Sequence, residues 1–136
     1  MGLVIDTSAL IALERAGASW EQGLGRQADE PVVLPAIVYA ELLVGVALAG
    51  NRRRATQRRQ RIDALVAVSG VVEFDAAVAE KWAELFALLS RRGRMIPSND
   101  LAVAATARHM EFGVLVGPRD ERHFREVPRL SVVKIG

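Results

Sequence analysis

The chain contains no cysteine. Disulfides and thiolate-held metals are therefore excluded, so any bound metal must be held by oxygen or histidine, as suits a reducing cytoplasm. Histidine is scarce too, at two residues, which argues against a zinc site. Lysine is nearly missing: of 18 basic residues only Lys81 and Lys134 are lysine, the rest being arginine. Arginine binds phosphate through a planar fork, so this bias permits a nucleic-acid partner without requiring one. No apolar run reaches the roughly 18 to 20 residues that cross a bilayer, and no basic-then-apolar leader opens the chain. The expectation is a soluble, cytoplasmic protein with no membrane partner.

What is present is enough apolar surface for one core. Of 136 residues, 51% are hydrophobic, which suits a single domain over 1–136. Short β-branched runs recur as LVI (3–5), VVL (32–34), VVEF (71–74), VLV (114–116) and LSVVKI (130–135). Segments of helical spacing separate them: SALIALERA stopping at Gly17, PAIVYAELLVGVALAG closing at Gly50, the amphipathic end of 52–68, 76–92 with Trp82 on its apolar stripe, and NDLAVAATARHMEFG. Strands alternating with helices predict an α/β fold, a mostly parallel sheet of about five strands flanked by helices.

In such sheets ligands gather at the carboxyl ends of strands. Asp6 directly follows the first strand, Glu41 lies in the helix after the second, Asp100 opens the last helix, and Asp120 lies just beyond the fourth strand. Each acid also has a plainer role. Asp6 and Asp100 are good helix N-caps, and Asp120 fits a solvated Pro-Arg-Asp turn. Glu41 is harder to set aside, because an acid among Val, Tyr, Ala and Leu is partly buried and needs a partner.

Four segments, LVIDTSALIAL, AIVYAELLVG, IPSNDLAVAATA and RDERHF, in that order resemble the PIN domain, and more closely the VapC-type toxins of bacterial toxin-antitoxin pairs. The resemblance covers nearly the whole chain. It implies a metal-dependent ribonuclease whose acids fall at Asp6, Glu41, Asp100 and Asp120, binding one or two Mg²⁺ or Mn²⁺ ions. The RNA phosphate would be attacked by metal-activated water, with Asp100 or Glu41 assisting proton removal, to leave 5′-phosphate and 3′-hydroxyl ends. It also implies a small antitoxin partner and a homodimer. The match is loosest at the fourth acid, where Gly117-Pro118-Arg119 stands before Asp120 and the adjacent Glu121 is the alternative ligand. Asn99 flanks Asp100, but helix phase favours Asp100. Ser8 either orients a water or phosphate or bonds a free backbone N–H of the first helix.

Hard oxygen ligands suit these ions, which lower the pKa of water and clamp phosphate oxygens. Crowded acids should hold at least one pKa high when no metal is bound. Around them, setting the four ligands aside leaves 18 basic residues against 12 acidic ones. Arginine is densest between Arg52 and Arg61, where Arg52, Arg53, Arg54, Arg58 and Arg59 are RNA-binding candidates; a solvated face or a partner surface is the competing reading. His109 and His123 suit acid-base chemistry by type, and suit a helix end and a turn equally well. Trp82 belongs to the core stripe, while Trp20 sits in a polar connection that suits an interface.

Two other classes compete. A phosphorylatable receiver domain would use Asp75 and Lys134, but the paired acids expected after the first strand and a helix after the final lysine are missing. A catalytically weak PIN-fold protein that mainly binds RNA or a partner is the stronger alternative. If the arginine tract binds RNA, replacing several of Arg52, Arg53, Arg54, Arg58 and Arg59 together weakens affinity. The slope of log affinity against log salt should then fall by about 0.7 for each phosphate no longer neutralised, read by anisotropy titration.

Overall fold

The computed structural model describes residues 2–25 and 29–135. Its strands are β1 (Leu3–Ile5), β2 (Val32–Pro35), β3 (Val71–Val72), β4 (Gly113–Val116) and β5 (Val132–Lys134). Its helices are α1 (Thr7–Arg15), α2 (Trp20–Gly25), α3 (Ala36–Ala47), α4 (Arg52–Ser69), α5 (Ala76–Arg91), α6 (Ser98–Met110) and α7 (Glu121–Arg125). The strands form one sheet in the order β3-β2-β1-β4-β5, and every pairing is parallel. This is the α/β arrangement expected from the alternation of elements.

The sheet centre is dry. Leu3, Val4 and Ile5 of β1 and Val114, Leu115 and Val116 of β4 have no exposed surface, as continuous apolar runs in a doubly covered parallel sheet require. Register places Val4 opposite Val33 on one side and Val114 on the other. α6 is buried along its length from Leu101 to Ala107, and its alanines let neighbouring elements approach closely. Its one buried hydroxyl, Thr106, donates back to the Ala102 carbonyl at 2.8 Å.

The strand order sets where a site can form. From β1 the chain moves outward through β2 to β3, then returns to the other side of β1 as β4. The crevice between β1 and β4 is thus the topological switch point, where loops leave in opposite directions and open a cleft.

Several boundaries differ from the sequence reading. β3 ends at Val72, because the chain turns to present Asp75, whose carboxylate caps α5 by accepting the Val78 N–H at 3.0 Å. β5 is shorter than 130–135, and α3 stops at Ala47 rather than reaching Gly50. α6 is capped at its start by Pro97, placing Asp100 inside the first turn, so the capping role considered for Asp100 is not the one it has. That helix ends at Met110, with Glu111 in the left-handed region at φ 58°, and Gly113 opens β4. The short helices α2 and α7 had no counterpart in the sequence reading.

Gly117, just past β4, is required by close approach. A Cβ built there would lie 2.2 Å from the Ser8 carbonyl oxygen, backbone that cannot swing aside. Gly117→Ala should therefore destabilise the fold by about 1–3 kcal/mol, read as a lower urea midpoint with an unchanged m-value.

Candidate active site

Asp6 ends β1 and caps α1: its Oδ2 accepts the Ser8 backbone N–H at 3.0 Å and the Ser8 hydroxyl. The same Ser8 oxygen accepts the Gly117 N–H at 2.9 Å, tying the end of β1 to the end of β4 across the switch point. Asp6 is 1% exposed, so the cap sits in the interior rather than at the surface. Both roles considered for this residue are thus open to one carboxylate.

Three further acids gather at this edge, two of which, Asp100 and Asp120, act directly on Asp6. Glu41, half-buried on α3, accepts from the Thr7 hydroxyl at 3.0 Å, which leaves its second oxygen free. Asp100, buried in the first turn of α6, has its Oδ2 2.5 Å from Nδ1 of His123. Asp120 is buried as well, contrary to a solvated turn, and is held by the fork of Arg119 at 3.1 and 3.0 Å. Its Oδ1 lies 3.9 Å from His123 Nδ1. Asp100, Asp120 and His123 each offer a donor atom within 4.8 Å of the others. The neighbouring Glu121 turns elsewhere, pairing with Arg125 at 3.1 Å and Lys134 at 3.2 Å, which hold its carboxyl below the usual range.

The electrostatics record the crowding. Burial, reinforced by the charges of Asp120 and Asp100, pushes Asp6 up to about 7 despite the two bonds from Ser8. Burial and the charge of Asp120 raise Asp100 too, with His123 opposing. For Asp120 burial acts upward, but the Arg119 fork and a bond shared with Asp6 outweigh it and leave its pKa lowered. Of this pair Asp6 therefore keeps its proton to the higher pH. Arg119 is raised by Asp120 and feels Asp6 and Glu41 as well. Several carboxylates converging with too little counter-charge make a donor set that fits a hard divalent cation.

Other candidates fall outside this cluster. Asn99 and His109 are exposed. Asp75 caps α5 and Lys134 pairs with Glu121, so neither forms the pocket of a receiver domain. Trp82 is half-buried and stacks on Phe86 at 5.2 Å. Trp20 is a correction: it is 4% exposed, opens α2, and lies beneath the Arg61 guanidinium, so it belongs to the core rather than a polar connection. Of the arginine tract, Arg58 donates to the Gly45 carbonyl, Arg59 pairs with Asp63 at 3.0 Å and Arg61 with Glu14 at 2.8 Å. Arg52, Arg53 and Arg54 are exposed with no ion pair among the described residues. The residue whose place the sequence reading missed is His123. Its signal was the spacing Asp-x-x-His, which becomes a shared face only once α7 forms.

Comparison with known proteins agrees with this geometry. The chain matches the PIN domain family over residues 3–130. It is 34% identical to the VapC ribonuclease Y4jK of Sinorhizobium fredii, with 96% of this chain and 95% of that protein covered. It superposes on the crystal structure of VapBC2 from Rickettsia felis bound to a promoter DNA fragment with a TM-score of 0.83, at 21% identity and 98% of each chain. Against VapBC-5 of Mycobacterium tuberculosis, a member of the VapBC family of toxin-antitoxin systems, the TM-score is 0.75 at 25% identity, again over 98% of each.

The raised Asp6 has a stability consequence. Between pH 3.8 and about 7 the folded chain keeps a proton that the unfolded chain has lost, so this residue lowers stability progressively as pH rises through that window. Asp6→Asn keeps an acceptor for the Ser8 N–H and removes the charge. In EDTA it should melt about 5 °C above the parent at pH 8 and level with it at pH 3.5, by thermal unfolding at both pH values.

Proposed function

The chain belongs to the PIN domain family, and from that membership we propose that it is an endoribonuclease acting as the toxin of a toxin-antitoxin pair, with Asp6, Glu41, Asp100 and Asp120 as its catalytic acids. The observation that carries the reading is the convergence of carboxylates from four separate segments at the switch point, where burial and neighbouring acids raise Asp6 and Asp100 above the usual carboxylate range. A ribonuclease name on a relative 34% identical over nearly the full length points the same way.

Asp6, Asp100 and Asp120, with Glu41 at the margin, would hold Mg²⁺ or Mn²⁺. When bound, such an ion lowers the pKa of a coordinated water and neutralises charge on the phosphate. Asp6 would have to be ionised to serve as a ligand, so binding of the ion would favour the higher pH. Ser8 holds Asp6 Oδ2, Asp6 also bonds Asp120, and His123 holds Asp100 Oδ2. Thr7 similarly fixes Glu41 through Oε1 and leaves Oε2 free, so Glu41 or Asp100 would take the proton from the attacking water. Water adds to phosphorus, the bond to the 3′ oxygen breaks, and the products carry 3′-hydroxyl and 5′-phosphate ends.

The VapBC neighbours are toxin-antitoxin assemblies, and a small antitoxin is the partner proposed here. A homodimer would use apolar surface that the described residues expose, including Val44 and Leu48 at the end of α3 and Phe86 on α5. No helix among the described residues is long and apolar enough to cross a membrane. The cytoplasm is the proposed compartment.

Purified protein should cleave RNA with Mg²⁺ or Mn²⁺, stop on chelation, and recover when the ion is restored. Asp100→Asn should lower the cleavage rate by at least about 100-fold, in line with removal of a group that stabilises charge in the transition state, while circular dichroism and melting stay native-like. Full cleavage by a folded Asp100→Asn variant, or RNA binding without turnover by the parent, would favour a binding module.

A further inference from the structure

A cleft of about 550 Å³ lies between α1 and the turn after β4, lined by Ser8, Ile11, Ala12, Arg15, Pro118 and Arg119 among others, with no carboxylate in its wall. It opens beside the acids, since Ser8 bonds Asp6 and Arg119 bonds Asp120. Its two cations are differently prepared. Arg119 uses Nε and Nη2 on Asp120, so the guanidinium is held in a fixed plane while Nη1 and the outer Nη2 hydrogen stay available. Arg15, exposed at the end of α1, has no ion pair among the described residues, and the adjacent Glu14 lies a third of a turn away, paired with Arg61.

Building on the ribonuclease reading, we infer that this cleft seats the RNA nucleotide adjoining the scissile phosphate. Arg15 and Arg119 receive backbone phosphates, and the apolar wall of Ile11, Ala12 and Pro118 receives the sugar or base. The chemistry matches single-stranded RNA, whose backbone seeks arginine and whose unstacked base needs an apolar face. Charge placement favours this path over the groove by α4, where Arg58 and Arg61 share the wall with Glu14 and Glu41. No carboxylate lines the α1 cleft, and the arginine nearest the acids is already oriented.

The test measures binding of a fluorescein-labelled single-stranded RNA of about 12 nucleotides, within the site sizes typical of such grooves. The full-length protein carries Asp100→Asn, in Mg²⁺ buffer, so that the probe survives. Adding Arg15→Glu should weaken affinity at least about fivefold and flatten the salt slope by about 0.7 or more, with Arg15→Lys restoring most of it. Arg129→Glu makes the same charge change just before β5, at the opposite end of the sheet, and should cost less than about twofold. Equal losses at positions 15 and 129 would mean a general charge effect and overturn the cleft. With the acids intact, Arg15→Glu should raise KM for cleavage and leave kcat within about twofold; a fall in kcat at unchanged KM also overturns it. If the parent cleaves no RNA, the ribonuclease reading falls while the binding comparison still judges the cleft.

Discussion

The structure depends on burying carboxylates beside one another at the end of a parallel sheet. A carboxylate at 1% exposure, facing two more, is costly in its ionised form, and Asp6 answers by keeping its proton to about pH 7. Everything around it limits that cost. The Ser8 backbone and hydroxyl solvate one oxygen, and Ser8 reaches Gly117, so the two strands flanking the crevice are joined through the same side chain that bonds the acid. A side chain at position 117 would force the Ser8 backbone away and part the strands where the charges meet. Fold stability and site geometry are coupled at this point.

The other acids follow one pattern: each is fixed by a single partner, Glu41 and Asp100 through one oxygen and Asp120 through both. Thr7 holds Glu41, His123 holds Asp100, and Arg119 holds Asp120. A neutral hydroxyl orients without cancelling charge, whereas arginine and histidine offset some of it. The opposite shifts of Asp100 and Asp120 follow: His123 only moderates the rise at Asp100, while the Arg119 fork reverses it at Asp120. Such graded neutralisation leaves a net deficit of positive charge, which a divalent cation would fill and a phosphate alone would not.

The sheet and the acids were legible in the sequence because their signals are local. β-branched runs mark strands that are dry on both faces, and a carboxylate directly after such a run must emerge at the sheet's edge. Helices α2 and α7 were not legible, since helices of six and five residues carry too few turns to show a period. Missing α7 hid His123, and missing α2 put Trp20 in a connection when its indole lies beneath Arg61 of α4. Asp100 was misjudged as a cap for a related reason: Pro97 starts α6 earlier than the Asn-Asp pair suggested, which moves the carboxylate from the helix end to its inner face.

Arginine density was a poor guide to arginine availability. Three of the six arginines between Arg52 and Arg61 are engaged by Gly45, Asp63 and Glu14, bonds that tie α4 to α3 and α1 or run along its own face. Arg61 also lies over Trp20 at 4.6 Å, so removing it would disturb packing as well as charge. Arg15, isolated in sequence, is exposed with no ion pair among the described residues. Where positive charge stays unpaired therefore depends on helix packing rather than on density in sequence: α4 engages half of its tract with α3, α1 and its own face, while the lone arginine of α1 lines the cleft beside the acids.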